Sequence, residues 1–236
     1  MKRKLREKID ENRNLLLLSS GLYDERAHVL KDAKNILLIP YAIHERYFDE
    51  TEIGMNNEMP FEVKSIHHFN KPADAVYQAD AVVIKGGNTY RLLKKMYDAG
   101  IVKPLREAAA EGIPFVGSSA GAGSLCPTIL TTNDWQITVP PTVEALDLVP
   151  FQINPHMPRY MVDEDDLDFR QRASRIFEFH EENDAPVLGI LDGSALRVNG
   201  MAMEVWGKSP TDIFKSSGNL TAAKPGTKLD YLLCRD

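Results

Sequence analysis

Ile113-Pro114-Phe115-Val116-Gly117-Ser118-Ser119-Ala120-Gly121-Ala122-Gly123-Ser124-Leu125 sets an apolar run directly against a cluster of small residues. An apolar run passing at once into Gly-x-Ser-x-Gly is the pattern of a strand that reverses into a helix within one tight turn. Glycine is needed on either side of the turning residue, because a neighbouring Cβ would collide with the backbone or the following helix. Ser119 therefore stands at the apex with its hydroxyl projecting from the sheet end. The N–H of the next residue, Ala120, points toward any oxyanion formed on an attacked carbonyl. This is the geometry of a nucleophile.

Working outward, short apolar runs recur at Leu15–Leu18, Ile36–Pro40, Phe61–Ile66, Ala81–Ile84, Phe151–Ile153 and Val187–Leu191. Amphipathic segments with apolar residues three and four apart separate several of them, most clearly Thr89–Ala99 and Lys103–Glu111. Strands alternating with helices imply a single α/β domain whose mainly parallel sheet is covered by helices on both faces. Ligands of such sheets sit at the carboxyl ends of the strands. The stretch Asn199–Leu233, punctuated by glycine, reads as short strands extending one edge.

The composition narrows the partners. A chain of 236 residues with 43% hydrophobic content supports one sizeable core, and a net charge of −6 disfavours nucleic acid and membrane surfaces as ligands. Cys126 and Cys234 lack any Cys-x-x-Cys spacing and read as reduced packing residues. Residues 1–14 read as a charged, solvated helical extension preceding a domain over 15–236. They lack the apolar core of a signal peptide, and no apolar run approaches the ~20 residues of a membrane span. The expected location is the cytoplasm.

A serine hydroxyl needs a base to take its proton, and the base needs a group to orient it. Six histidines compete for the role. His28, His44 and His180 lie in polar surroundings, and the pair His67-His68 falls at an apparent strand end. His156 differs, closing Phe151-Gln152-Ile153-Asn154-Pro155-His156, where a proline ends a strand and fixes the loop. Asp192, in Gly189-Ile190-Leu191-Asp192-Gly193, likewise follows a buried-strand pattern. The turn Lys85-Gly86-Gly87-Asn88-Thr89 offers a second backbone donor for an oxyanion, with Asn88 or Thr89 capping the next helix. Nothing around these residues has metal-ligand spacing, so neither metal nor cofactor is expected.

In Lys85–Thr89, Gly117–Gly121, Cys126-Pro127-Thr128-Ile129, Thr131-Thr132-Asn133-Asp134 and Ile153–His156 the sequence resembles the peptidase E family of α-aspartyl dipeptidases, from about Leu15 to Leu196. The resemblance implies a serine peptidase on a flavodoxin-like, class I glutamine-amidotransferase-like fold. It carries the catalytic roles onto Ser119, His156 and Asp192 and the oxyanion-hole amides onto Gly87 and Ala120. Asp192 stands where some members have glutamate, so its loop must come closer to the ring. The implied substrate is a short peptide with an N-terminal aspartate, whose side chain an arginine binds as a planar fork. The spacing Arg172-Ala173-Ser174-Arg175-Ile176 points to Arg172, whereas counting forward from His156 points to Arg170.

This chain also departs from the family. Lys85 replaces a usual glycine and Trp135 a usual methionine, the connections Gly21–Lys34 and Ala42–Pro60 are short, and Pro158–Phe169 lacks the customary Gly-Glu-Thr. Two other readings share the fold: a cyanophycinase-like hydrolase of β-aspartyl-arginine, and a binding protein that has lost catalysis. Oligomeric state is not legible.

Overall fold

The apolar runs become strands because both of their faces are buried. The computed structural model describes residues 3–158 and 167–234. In chain order the first half runs α1 (Arg3–Asn12), β1 (Asn14–Leu18), α2 (Tyr23–Leu30), β2 (Ile36–Ile39), α3 (Phe48–Glu58), β3 (Val63–Ser65), α4 (Pro72–Gln78), β4 (Ala81–Ile84), α5 (Thr89–Asp98) and α6 (Val102–Ala110). The second half runs β5 (Phe115–Ser118), α7 (Ala120–Gly123), β6 (Gln152–Pro155), α8 (Leu167–Glu182), β7 (Val187–Ile190), β8 (Ser194–Asn199), β9 (Ala202–Gly207), β10 (Thr211–Phe214) and β11 (Leu220–Ala223).

Seven strands form the main sheet in the order β3-β2-β4-β5-β1-β8-β9. The five strands from β3 to β1 are parallel, and β8 and β9 add antiparallel. Alternate residues feed opposite faces. Leu15, Leu17, Leu37, Ile39, Val82, Ile84 and Phe115 pack with Leu92, Met96 and Leu105 of α5 and α6, whereas Leu16, Leu18, Ile36, Leu38 and Val83 pack with Leu30 of α2 and Met55 of α3. Helices on both faces leave no polar face for the strands, which is why they read as unbroken apolar runs.

The mainly parallel α/β arrangement expected from the sequence is thus present, with one difference in its later part. The edge of β1 is taken by β8, so β6 and β7 do not extend the main sheet. They pair with each other in parallel, and β10 and β11 complete a second sheet in the order β11-β10-β7-β6. Of the strands after Gly193, β8 and β9 extend the main edge while β10 and β11 build the second sheet. The run Phe61–Ile66 yields a strand only over Val63–Ser65; Ile66–His68 turns into a 3-10 helix.

The charged first helix is docked rather than wholly solvated. Ile9 is fully buried, Asn12 Nδ2 donates to the Ala110 carbonyl at 2.8 Å, and the buried Arg13 donates through Nε to the Leu148 carbonyl at 2.9 Å. Both cysteines are free; burial pushes the Cys126 thiol up, out of reach of ionisation at neutral pH. Among the described residues no helix is long and apolar enough to cross a membrane.

One buried charge opposes the fold. Asp212 of β10 is 3% exposed, and its Oδ2 has no hydrogen-bond partner among the described residues. Burial pushes its carboxyl up to about 6. Because the folded pKa lies above the unfolded one, the folded state holds the proton longer, and stability falls as pH rises from about 4 to about 6. Above that window the full penalty applies, at most about 2–3 kcal/mol. Asp212→Asn is therefore expected to raise Tm at pH 8 and to lose most of that advantage at pH 4. A thermal melt of both proteins at the two pH values checks it, and an equal or lower Tm at pH 8 contradicts it.

Candidate active site

β1 and β5 pair in parallel with Leu18 opposite Ser118, so Ser19 and Ser119 emerge side by side at the carboxyl end of the main sheet. The Ser119 N–H donates to the Leu18 carbonyl at 2.9 Å. Ser119 has φ 51° and ψ −117°. A non-glycine residue in that region carries strain on the order of 1–3 kcal/mol, held only where the surroundings over-determine it. The surroundings here are the two glycines. A Cβ on Gly121 would lie 2.0 Å from the Ile84 carbonyl oxygen, and one on Gly117 would lie 2.7 Å from the Gly121 oxygen. With no side chain at either position, α7 packs directly against β4 and β5 and the serine is forced onto the apex.

The second sheet supplies the partners. β6 and β7 are parallel with Pro155 opposite Ile190, and the Met157 N–H donates to the Ile190 carbonyl at 3.1 Å. His156 and Asp192, just beyond these residues, therefore lie at the same sheet end. Asp192 stands where the chain crosses from β7 in the second sheet to β8 in the main one. This crossing brings the shorter aspartate within reach: His156 Nδ1 lies 2.7 Å from Asp192 Oδ1, and His156 Nε2 lies 2.9 Å from Ser119 Oγ. A carboxylate oxygen only accepts, so the proton sits on Nδ1 and the Nε2 lone pair faces the serine hydroxyl.

The sequence reading missed Ser19. Its hydroxyl donates to Asp192 Oδ1 at 2.6 Å and accepts the His156 backbone N–H at 2.8 Å, clasping the aspartate and the histidine backbone to the end of β1. Burial pushes the Asp192 carboxyl up, but hydrogen bonds from Ser19, Ser20 and His156 outweigh it and hold the group below the usual carboxylate range. The available signal was positional, two serines directly after Leu15–Leu18.

Gly87 and Ala120 flank the serine. Gly87 has φ 147°, and a Cβ there would lie 2.6 Å from the Ala42 carbonyl oxygen. That carbonyl accepts the Asn88 N–H at 2.8 Å, anchoring the turn, while the Asn88 side chain caps α5 by accepting the Arg91 N–H at 3.0 Å. Among the described residues neither the Gly87 nor the Ala120 N–H has an acceptor, which leaves two donors for an oxyanion. Lys85, the neighbour of this turn, lines a separate cavity with Glu58 and Met55 of α3.

The cavity beside Ser119 and His156 measures about 190 Å³, below the roughly 300–1,000 Å³ of sites for drug-sized ligands. Asp134 and Arg172 also line it. Thr89 fixes Asp134, donating to Oδ2 from both its backbone N–H (2.7 Å) and its hydroxyl (2.5 Å). Arg172, half-buried on α8, donates through Nη1 to the Pro155 carbonyl at 3.0 Å. Burial lowers its pKa, and Asp168, Asp192 and Asp134 counter by raising it. Arg170 lies on the exposed side of α8 and does not line this cavity. Residues 159–166, which hold most of the segment lacking Gly-Glu-Thr, fall outside the described residues. Trp135 is 87% exposed at the rim, its carbonyl accepting from Asn88 Nδ2 at 2.8 Å.

The chain is similar to known peptidases over most of its length. Residues 15–206 match the model of peptidase family S51. A protein named peptidase E from Streptomyces coelicolor is 35% identical, the match covering 93% of this chain and 95% of that one. A protein from Drosophila melanogaster named probable α-aspartyl dipeptidase is 34% identical, covering 94% and 98%. The crystal structure of a peptidase from an acI-B1 Actinobacterium shares the fold with a TM-score of 0.69 at 18% identity, covering 92% of this chain and 96% of that one. Because the family model covers most of the chain, including the segment that holds Ser119, His156 and Asp192, the chain belongs to peptidase family S51.

Proposed function

We propose that this serine peptidase releases N-terminal aspartate from dipeptides and other short peptides through Ser119, His156 and Asp192. The observation that carries the reading is the unbroken chain of contacts from Ser119 Oγ through His156 to Asp192, at 2.9 and 2.7 Å, opening on a small cavity that also holds one guanidinium and one carboxylate.

Ser119 Oγ attacks the peptide carbonyl while its proton passes to His156 Nε2. Asp192 stabilises the imidazolium through Nδ1–H, and the Gly87 and Ala120 amides receive the oxyanion. On collapse the imidazolium protonates the departing amine. The aspartyl group is left as an ester on Ser119 Oγ; water then attacks its carbonyl as His156 takes the water proton, and collapse breaks the ester, releases aspartate and returns the proton from His156 to Ser119 Oγ. Ser19 keeps the base and its orienting acid in register.

Arg172 pairs with the substrate's side-chain carboxylate as a bidentate fork. Asp134 offers the counter-charge for the free α-ammonium group, whose presence within a cavity of this size limits cleavage to the first peptide bond. The acidic composition and two free cysteines suit a reducing cytoplasmic setting.

Ser119→Ala is expected to fold normally and to lose on the order of 10⁴-fold or more in kcat, with His156→Ala equivalent and the double variant no worse than either. Hydrolysis of Asp-Leu by purified, folded protein measures this; retention of a tenth of the parent rate would remove Ser119 from the mechanism.

Arg172→Met keeps the aliphatic stem and deletes the fork, and is expected to cost about 10²-fold in kcat/KM for Asp-Leu while barely changing the poor hydrolysis of Ala-Leu. Arg170→Met, on the other side of the helix, is expected to leave the Asp-Leu to Ala-Leu ratio unchanged. Collapse of the ratio in Arg170→Met alone reverses the assignment, and no change in either variant removes the aspartyl-specific reading. A panel including β-Asp-Arg separates this activity from the cyanophycinase-like one.

A further inference from the structure

Far along the chain from Ser119, the first turn of α3 meets the 3-10 turn that follows β3. Asp49 and Glu52 are three residues apart on α3 and so share one face of the helix, and this face is turned to His67 and His68. His67 Nε2 lies 2.9 Å from Asp49 Oδ1, and His68 Nε2 lies 3.7 Å from the same oxygen and 3.1 Å from Glu52 Oε2. Asp49, His67 and His68 each present one ligand atom, all mutually within 4.8 Å.

We propose that Asp49, His67 and His68 form a binding site for a divalent transition-metal ion of the zinc class. Zinc held tetrahedrally by nitrogen and oxygen at about 2.0–2.1 Å requires its ligand atoms to stand roughly 3.3 Å apart. The measured separations from Asp49 Oδ1 to the two imidazole nitrogens, 2.9 and 3.7 Å, fall on either side of that value. These two separations need change by only a few tenths of an ångström, and the two imidazole nitrogens lie within 4.8 Å of each other. Two imidazoles and a carboxylate are also the donor set that suits zinc, nickel or copper, whereas calcium and magnesium take oxygen ligands.

The supporting contacts point the same way. Ser65 Oγ lies 2.7 Å from His67 Nδ1, a hydrogen bond that fixes the ring and leaves Nε2 toward Asp49. Phe48 packs against the same ring with centroids 5.3 Å apart, and the His67 and His68 rings lie 3.9 Å apart. Glu52 Oε2 accepts the Ser65 N–H at 2.6 Å, so it is held beside His68 as a further carboxylate at the site. One dication neutralises the carboxylates and uses both nitrogen lone pairs. Lys95, which lines the adjoining cavity with Asp49 and His67, is already paired with Glu45.

None of these residues lines the cavity beside Ser119, so the ion takes no part in peptide hydrolysis. Its role is to fasten α3 to the turn after β3, the strand at one edge of the main sheet. Linkage then requires that metal binding raise the stability of the folded state in proportion to its occupancy.

The test uses untagged, chelator-treated and desalted full-length protein titrated with zinc chloride in a calorimeter, with thermal melts in parallel. One equivalent is expected to bind, with a rise in Tm at excess zinc. Asp49→Asn and the double variant His67→Gln/His68→Gln, each checked for fold by circular dichroism, are expected to bind at least tenfold more weakly. Cys234→Ser is expected to bind as the parent does. Absence of saturable binding up to about 100 µM zinc, a regime in which even weak sites fill, overturns the proposal. So does parental affinity in the double variant, which would place the zinc on other groups.

Discussion

Everything at the candidate site depends on one steric constraint, the absence of side chains at Gly117 and Gly121. With α7 pressed so close to β4 that a single added carbon would stand 2.0 Å from a carbonyl oxygen, Ser119 has no relaxed backbone conformation available. The strain at φ 51° is the cost of that proximity. The same packing sets the serine beside the Gly86-Gly87 turn. The nucleophile and the oxyanion donors of the proposed mechanism are thus two consequences of one packing constraint.

The second requirement is electrostatic, and it spans two sheets. The serine belongs to the main sheet, the histidine and aspartate to the ends of β6 and β7. Their alignment rests on the crossing at Leu191-Asp192-Gly193 and on the Ser19 hydroxyl, which both sheets share through hydrogen bonds. Asp192 keeps its charge because donors surround it, not because it is hidden; its side chain remains 61% exposed. In a solvated setting one carboxylate–imidazole contact is weak, and several convergent donors are needed to hold it.

What the sequence disclosed, and what it withheld, follows the range of the underlying forces. The fully buried strands Leu15–Leu18, Ile36–Ile39 and Ala81–Ile84 were legible within a residue because both faces must be apolar, and the elbow was legible because sterics dictate glycine locally. The same local rules marked His156 and Asp192 as strand-end residues. The split into two sheets was not legible, since β6 and β7 look like any other buried strand and only competition with β8 for the edge of β1 separates them. Ser19 escaped for a related reason: a serine after a strand is ordinary until a residue 173 positions later arrives beside it. Arg170 and Arg172 stand about 200° apart around a helix, so only one of them can face the site, and the burial pattern of α8 distinguishes the sides.

Because Ser119 and His156 sit on different sheets that share a single hydrophobic core, their 2.9 Å separation is a measure of how the two sheets are seated against each other. Ile153, Leu188 and Ile190 of the second sheet lie in the same cluster as Leu15, Phe115 and Leu196 of the first. Under the proposed mechanism, catalytic turnover works as a strain gauge. Removing a methylene at Leu188 or Leu15, neither of which lines the cavity, would register in kcat as a small displacement of the imidazole before it registered as a loss of folded protein.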